Sequence, residues 1–256
     1  MKNLTSSVDK TFAILDYFTD QNHEWGITEL SRKMDSNKST VYRFLSDLEK
    51  IGAMYRNPKT GKYGLGLKLF ELGKRVRLQS AFVDKTHAAL MKVAERINET
   101  VHVGILKENK VYYIDKIKAP QGLTIDTEIG SCKPLHATSL GKVLLAFSFS
   151  NGELMDNNIL QPELIPYTKN THVSLEALLT ELDGIRKQGY AIDREEFEIG
   201  LICVGVPIFN KNNDIVGSLS AAGPASRFEE KEVAGYVESL RSGAILMKEN
   251  IGTFKL

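Results

Sequence analysis

Two cysteines in 256 residues, Cys132 and Cys203, share no repeated spacing, which argues against a disulfide-stapled fold and fits a reducing compartment. No apolar run approaches the roughly 18 residues of a membrane span. The longest, LICVGVPIF at 201–209, has the length of a buried strand. A secretory signal is also missing, because Asp9, Lys10 and Asp16 interrupt the first apolar positions as they would in an amphipathic helix. The expected compartment is the cytoplasm, with no membrane partner. Nor is there an excess of one charge: the net value is +1. Residues 1–75 nevertheless hold 13 Lys+Arg against 9 Asp+Glu, so +4, and the remainder is −3. That imbalance is too mild to imply nucleic acid by itself.

The chain has the length for two domains, and 42% hydrophobic content suffices for their cores. Its most informative stretch is NKSTVYRFLSDLEKIG at 37–52. Val41, Phe44, Leu45, Leu48 and Ile51 recur at the period of one buried helical face. The other face presents Lys38, Ser39, Tyr42, Arg43 and Ser46, a row of donors with no acid before Asp47. Upstream, Val8, Phe12, Leu15 and Phe18 form one side of a first helix capped by Ser6 or Ser7. In GITELSRKM, Thr28 is a candidate cap for a second, short helix, and Asp35, Ser36 and Asn37 form the turn into the third. Two short strand-like runs then flank Asn57-Pro58-Lys59-Thr60-Gly61, with Lys59 and Lys62 at the tip. Helix, helix, turn, helix and hairpin in this order predict a winged helix-turn-helix over 1–65. A linker helix at 66–80 follows, with Leu69, Leu72 and Val76 on one side, shaped to pack against a partner subunit or the second domain.

Residues 81–256 read as α+β. A helix at 82–99 turns Leu90, Val93, Ala94 and Ile97 inward, and strands are expected at 100–107, 110–117 and 123–130. TSLGKVLLAF is a helix opened by Thr138 or Ser139, and Ser174 and Gly189 bracket another. A hairpin crosses NKNN at 210–213, and a long helix ends the segment.

SLGK at 139–142 resembles a phosphate loop only in part: His136 stands where the pattern needs Gly, and Val143 where it needs Ser or Thr. Cys132, His136 and Cys203 could donate to a metal, and Cys203, His136 and Asp193 could form a nucleophile set. Neither trio has the local spacing that would mark it. No metal and no cofactor is therefore assigned.

At these residues the chain resembles IclR-type bacterial transcription regulators over essentially its full length. SVDKTFAIL and ITELSRKMDSNKSTVYRFLSDLEKIG look like that family's DNA-binding head, and PLHATSLGK like its pocket motif. Gly189, Asp193, Glu196 and Cys203 fall at the spacing of its C-terminal signature. The resemblance implies a GAF-like effector domain (an antiparallel sheet with helices), a small organic acid as effector, a homodimer or dimer of dimers, and a two-fold symmetric double-stranded operator. It also implies a pocket built from Ser139, Leu140, Asp193, Cys203 and Ser220. Ser139 and Leu140 stand where some relatives have Gly and Ala, and Ala222 where some have a second pocket serine, so a narrower or less polar site is implied.

The expected function is a DNA-binding regulator modulated by a small carboxylate. Lys38, Ser39, Thr40, Tyr42 and Arg43 would face bases and phosphates, and Lys59 and Lys62 the backbone. Two rivals stay open: an enzyme using Cys203 and Asp193 on a small acid, and a protein-interaction module.

Overall fold

The computed structural model describes residues 6–19, 22–79, 81–120, 127–156, 159–160, 164–228 and 230–253, apart from the side chains of 76–79, 81, 230 and 231. The chain divides into two compact units, 1–80 and 81–256.

In the first unit, α1 (Ser7–Leu15) starts at a capping box: Ser6 Oγ accepts from the Asp9 amide, and Asp9 accepts from the Ser6 amide. Its buried residue is Ile14, with Leu15 and Phe18 packed beside it. Val8 and Phe12 do not face the core as their spacing predicts, and are 63% and 62% exposed. The helix has only nine residues, and its last turn alone reaches the core. The second helix, α2 (Ile27–Lys33), opens at Gly26, whose amide donates to Glu29, so Thr28 is not its cap. Asp35 takes a left-handed φ of 48° in the turn before α3 (Lys38–Lys50). Val41, Leu45 and Leu48 of α3 are buried and Phe44 packs partly against them. Ile51 is the C-cap residue and exposed, because Gly52 at φ 77° ends the helix before that stripe continues. Strands β1 (Met54–Arg56) and β2 (Tyr63–Leu65) pair antiparallel, and Trp25 exchanges two backbone hydrogen bonds with Tyr63 at the hairpin's other edge. On α4 (Leu67–Gln79), Leu69 enters the core of this unit; Leu72 is exposed with Leu67 and Phe70, and the Val76 side chain lies outside the described residues.

In the second unit, α5 (Ala81–Ile97) leads into β3 (Thr100–Lys107) and β4 (Lys110–Ile117). After them come β5 (Cys132–Lys133), α6 (Ser139–Ser148), the short α7 (Asn151–Asp156), α8 (Leu175–Gln188), β6 (Ala191–Arg194), β7 (Leu201–Phe209), β8 (Ile215–Pro224) and α9 (Glu230–Ile251). Half of the strand expected at 123–130, residues 123–126, falls outside the described residues; 127–130 are not strand, and pairing with β4 is made instead by β5. Six antiparallel strands run in the order β5-β4-β3-β8-β7-β6. Strict alternation sorts their side chains. Val101, Val103, Val204, Val206, Leu219 and Ala221 face α5 and α9, forming one core with Leu90, Val93, Leu240 and Met247. The opposite face receives α6 and α8 through Val143, Leu144, Leu178, Leu182 and Ile185. As expected from the sequence, Ser174 caps α8 and Gly189 closes it in the left-handed conformation.

Candidate nucleic-acid interface and ligand pocket

Lys38, Ser39, Tyr42 and Arg43 all project from the exposed side of α3, and Thr40 is half-buried in its first turn. Tyr42 is 51% exposed, and the Arg43 guanidinium lies 5.5 Å from the Phe44 ring centre. The wing turn is held by side chains. Asn57 Oδ1 accepts from the Lys59 and Thr60 amides, an arrangement that fixes the turn locally. Glu24 accepts from Tyr55 Oη at 2.9 Å, Asn57 Nδ2 at 2.8 Å and Thr60 Oγ1 at 3.2 Å. These bonds, led by that from Asn57, hold the Glu24 carboxyl below its usual pKa. Sequence reasoning missed Glu24, which lies more than 30 residues from its partners. The two wing lysines differ: Lys59 is exposed at the tip, whereas Lys62 Nζ sits 3.2 Å from Glu29 of α2.

In the second unit the face of the sheet beneath the start of α6 forms a small cavity of about 30 Å³, where four of the five residues assigned to a pocket, Ser139, Asp193, Cys203 and Ser220, meet. Pairing explains the convergence. Across neighbouring strands, Asp193, Cys203, Ala222 and Thr100 form one row, and Gly205, Ser220 and His102 form the next, all on one face. The N-terminus of α6 closes over them. A Cβ on Gly205 would lie 3.0 Å from the Ser139 backbone, so glycine lets the helix start come this near the sheet without being pushed back by a few tenths of an ångström. Thr138 caps α6 by accepting from the Gly141 amide at 3.1 Å, while its own hydroxyl donates to Pro134 O at 2.9 Å. The first-turn amides of Ser139 and Leu140 have no partner within the helix and carry the positive end of its dipole. The Leu140 side chain belongs to the core below α6, and Leu140 is not among the residues that line this cavity.

Asp193 is 2% exposed and accepts from the Glu196 amide at 2.8 Å. Burial outweighs that bond and pushes its pKa up to about 7. The walls also include His102, Tyr113, Thr127, Lys133 and Phe197, none of which the sequence pattern singled out. Their signal was present but faint: in TVHVGILK, Val101 and Val103 mark one buried face, which assigns His102 to the other.

Lys142, the lysine of the failed phosphate-loop pattern, is fully buried beneath the pocket. Its ammonium donates to Glu181 at 2.6 Å, to both Glu196 oxygens at 2.6 and 2.8 Å, and to Ile192 O at 2.7 Å. The lysine thus ties α6 and α8 to the loop after β6 that carries the Asp193 contacts. His172, Glu181 and Glu196 approach one another as a metal site would, but Lys142 already supplies the counter-charge among them.

The nucleophile set is not assembled. His136 lines a neighbouring cleft and its Nε2 lies 3.0 Å from Ile165 O. Burial first, then the nearby Asp193 charge, raises the Cys203 thiol well above its ordinary pKa, opposite to what an attacking thiolate needs. Cys132 is exposed on β5, with three strands between it and the β7 cysteine.

Residues 7–58 match the IclR helix-turn-helix domain, and residues 78–246 match the bacterial transcriptional regulator IclR C-terminal family. The chain is 37% identical over 247 residues to the HTH-type transcriptional regulator KdgR of Escherichia coli K12, covering 96% of this chain and 93% of that protein. Its fold is similar to the crystal structure of the Thermotoga maritima IclR, with a TM-score of 0.74, 34% identity, and coverage of 96% and 98% of the two chains. An IclR homologue from Microbacterium hydrocarbonoxydans, crystallised with 4-hydroxybenzoate, shares the fold at a TM-score of 0.81 and 22% identity, covering 96% and 99%. With an exposed donor-rich helix beside a wing, an unassembled nucleophile set and these two domain matches, the chain is a transcriptional regulator and belongs to the IclR family.

Proposed function

We propose that residues 1–65 dock α3 in the major groove of a double-stranded operator, that 66–80 link this head to residues 81–256, and that the latter bind a small carboxylate that changes operator affinity. Lys38, Ser39, Thr40, Tyr42 and Arg43 face base edges and phosphates, while Lys59 and Lys62 follow the backbone. Two copies, as a homodimer or dimer of dimers, read two half-sites. Exposed Phe12, Leu67 and Phe70 are apolar surface of the sort that association buries. The effector is a sugar acid, keto acid or aromatic acid held by the Ser139 and Leu140 amides, with Asp193, Cys203 and Ser220 around it.

One observation carries the effector reading: helix-start amides, a carboxyl titrating near neutrality and a serine hydroxyl share one buried cavity. Below about pH 7 Asp193 is a neutral acid that can donate to a carboxylate rather than repel it. The 4-hydroxybenzoate of the Microbacterium homologue is an acid of the expected class. The cavity's 30 Å³ is about one water's share of liquid volume, so an acid enters only if the walls part. An acid that favours the parted state shifts the protein toward it by its differential affinity, which is the coupling a regulator needs.

A thermal-shift panel of small carboxylates tests this. An acid at about 100 times its dissociation constant stabilises the protein by about 2.7 kcal/mol. It should also change the midpoint of a gel-shift titration on operator DNA. Stabilising acids that leave DNA affinity untouched would remove the coupling.

A further inference from the structure

His102 is 2% exposed, yet among the described residues its Nε2 has no hydrogen-bond partner. The imidazole lines the same cavity as Asp193 and Ser139. Ser220 lies directly across the strand pair from it, within the roughly 5 Å over which cross-strand side chains interact. Tyr113 packs edge-on at 5.3 Å and 89°, fixing the ring plane. Burial, and then the Lys116 charge, lowers its pKa to about 3, so the ring stays neutral and offers either an N–H or a lone pair. An unsatisfied buried polar atom is a net cost to folding, and a phenyl ring would fill this space without that penalty. Such a nitrogen in a pocket wall is explained by a ligand atom that completes it.

We infer that His102 is a specificity-determining residue of this pocket: its Nε2 meets a hydroxyl or carbonyl oxygen carried by the acid, in addition to the carboxylate held at the start of α6. The protein then answers to hydroxy- or oxo-acids in preference to alkyl acids of the same shape. This inference rests on the effector reading above. Ser220, the neighbour of His102, completes the polar patch on the sheet, and the carboxylate end is left to the Ser139 and Leu140 amides.

Calorimetric titration of the full-length protein with two matched pairs tests the assignment: pyruvate against isobutyrate, and 4-hydroxybenzoate against 4-methylbenzoate. Within a pair that binds, the wild type should prefer the oxygenated acid by about ten- to a hundredfold. His102→Phe should abolish that preference by weakening the oxygenated acid alone, and His102→Gln should restore part of it. Should the phenylalanine protein fail to fold by circular dichroism, His102→Leu carries the same test. An unchanged preference in His102→Phe, or none in the wild type, overturns the assignment and leaves the effector pocket standing. Saturable binding of neither pair to the wild type, together with no stabilisation by any acid of the carboxylate panel, overturns both.

Discussion

The two units hold their working residues in opposite ways. In the first, Arg43, Tyr42 and Lys59 stand in water, satisfied by solvent, and the core beneath serves only to present them. In the second, His102, Asp193 and Ser220 are almost wholly buried, so each pays for desolvation unless something answers it. Solvent screens the first kind of site, whose strength comes from charge and reach. The second kind stores unmet demand, which a bound ligand would release. On the proposed reading, three polar groups would make a broad, salt-sensitive surface in one place and a selective, pH-sensitive cavity in the other.

The largest break in this comparison should come from the charge cluster beneath the pocket. Lys142→Met leaves Glu196 and Glu181 facing one another without their cation and should destabilise the second unit by about 3–5 kcal/mol in urea unfolding. Adding Glu196→Gln should recover part of that loss. Next come two opposed pH dependences. The folded pKa of His102, about 3, lies below the ordinary 6.5, so its contribution is fully present above pH 6.5 and is lost as pH falls toward 3. The folded pKa of Asp193, about 7, lies above the ordinary 3.8, so its contribution is present below pH 3.8 and is lost as pH rises toward 7. Each slope is about 1.4 kcal/mol per pH unit, and between pH 3.8 and 6.5 they oppose. His102→Gln should therefore tilt the stability profile downward with rising pH, and Asp193→Asn should tilt it upward. Parallel profiles in wild type and both variants would show that neither group titrates as its burial demands.

How much of each site was legible in the sequence follows from the same contrast. The α3 face could be read because a helix brings its outward residues together at spacings of three and four, and Lys38, Ser39, Tyr42 and Arg43 sit on one short segment. Val8 and Phe12 show the limit of that rule: periodicity finds an apolar stripe but not what covers it. The pocket draws on β3, α6, β6, β7 and β8, which span 125 residues of chain from Thr100 to Pro224, and pairing register alone makes His102 a neighbour of Ser220. Asp193, Cys203 and Ser220 were found through family resemblance rather than through any local pattern. Lys142 was tested for a phosphate role, and nothing in its neighbourhood of sequence announced that two glutamates 39 and 54 positions away would bury it.

On the exposed side, effects should be smaller and should separate by what each cation touches. If Arg43 makes a bidentate base contact, Arg43→Ala loses about 1–3 kcal/mol on operator DNA and little on random duplex. Lys59→Ala should weaken both duplexes alike and reduce the slope of log affinity against log salt by about 0.9, the share of one phosphate. Lys62 should give the least. Its ammonium must leave Glu29 before it can meet a phosphate, and that half-exposed, solvent-screened pair holds it only weakly. Lys62→Ala should therefore lower the salt slope by less than Lys59→Ala does, and Glu29→Gln should move it the other way by freeing the lysine. Gel-shift titrations at several salt concentrations rank the three. Equal slopes for the Lys59 and Lys62 variants would mean that the Glu29 pair opens at no cost when DNA arrives, and that the wing offers two equivalent cations.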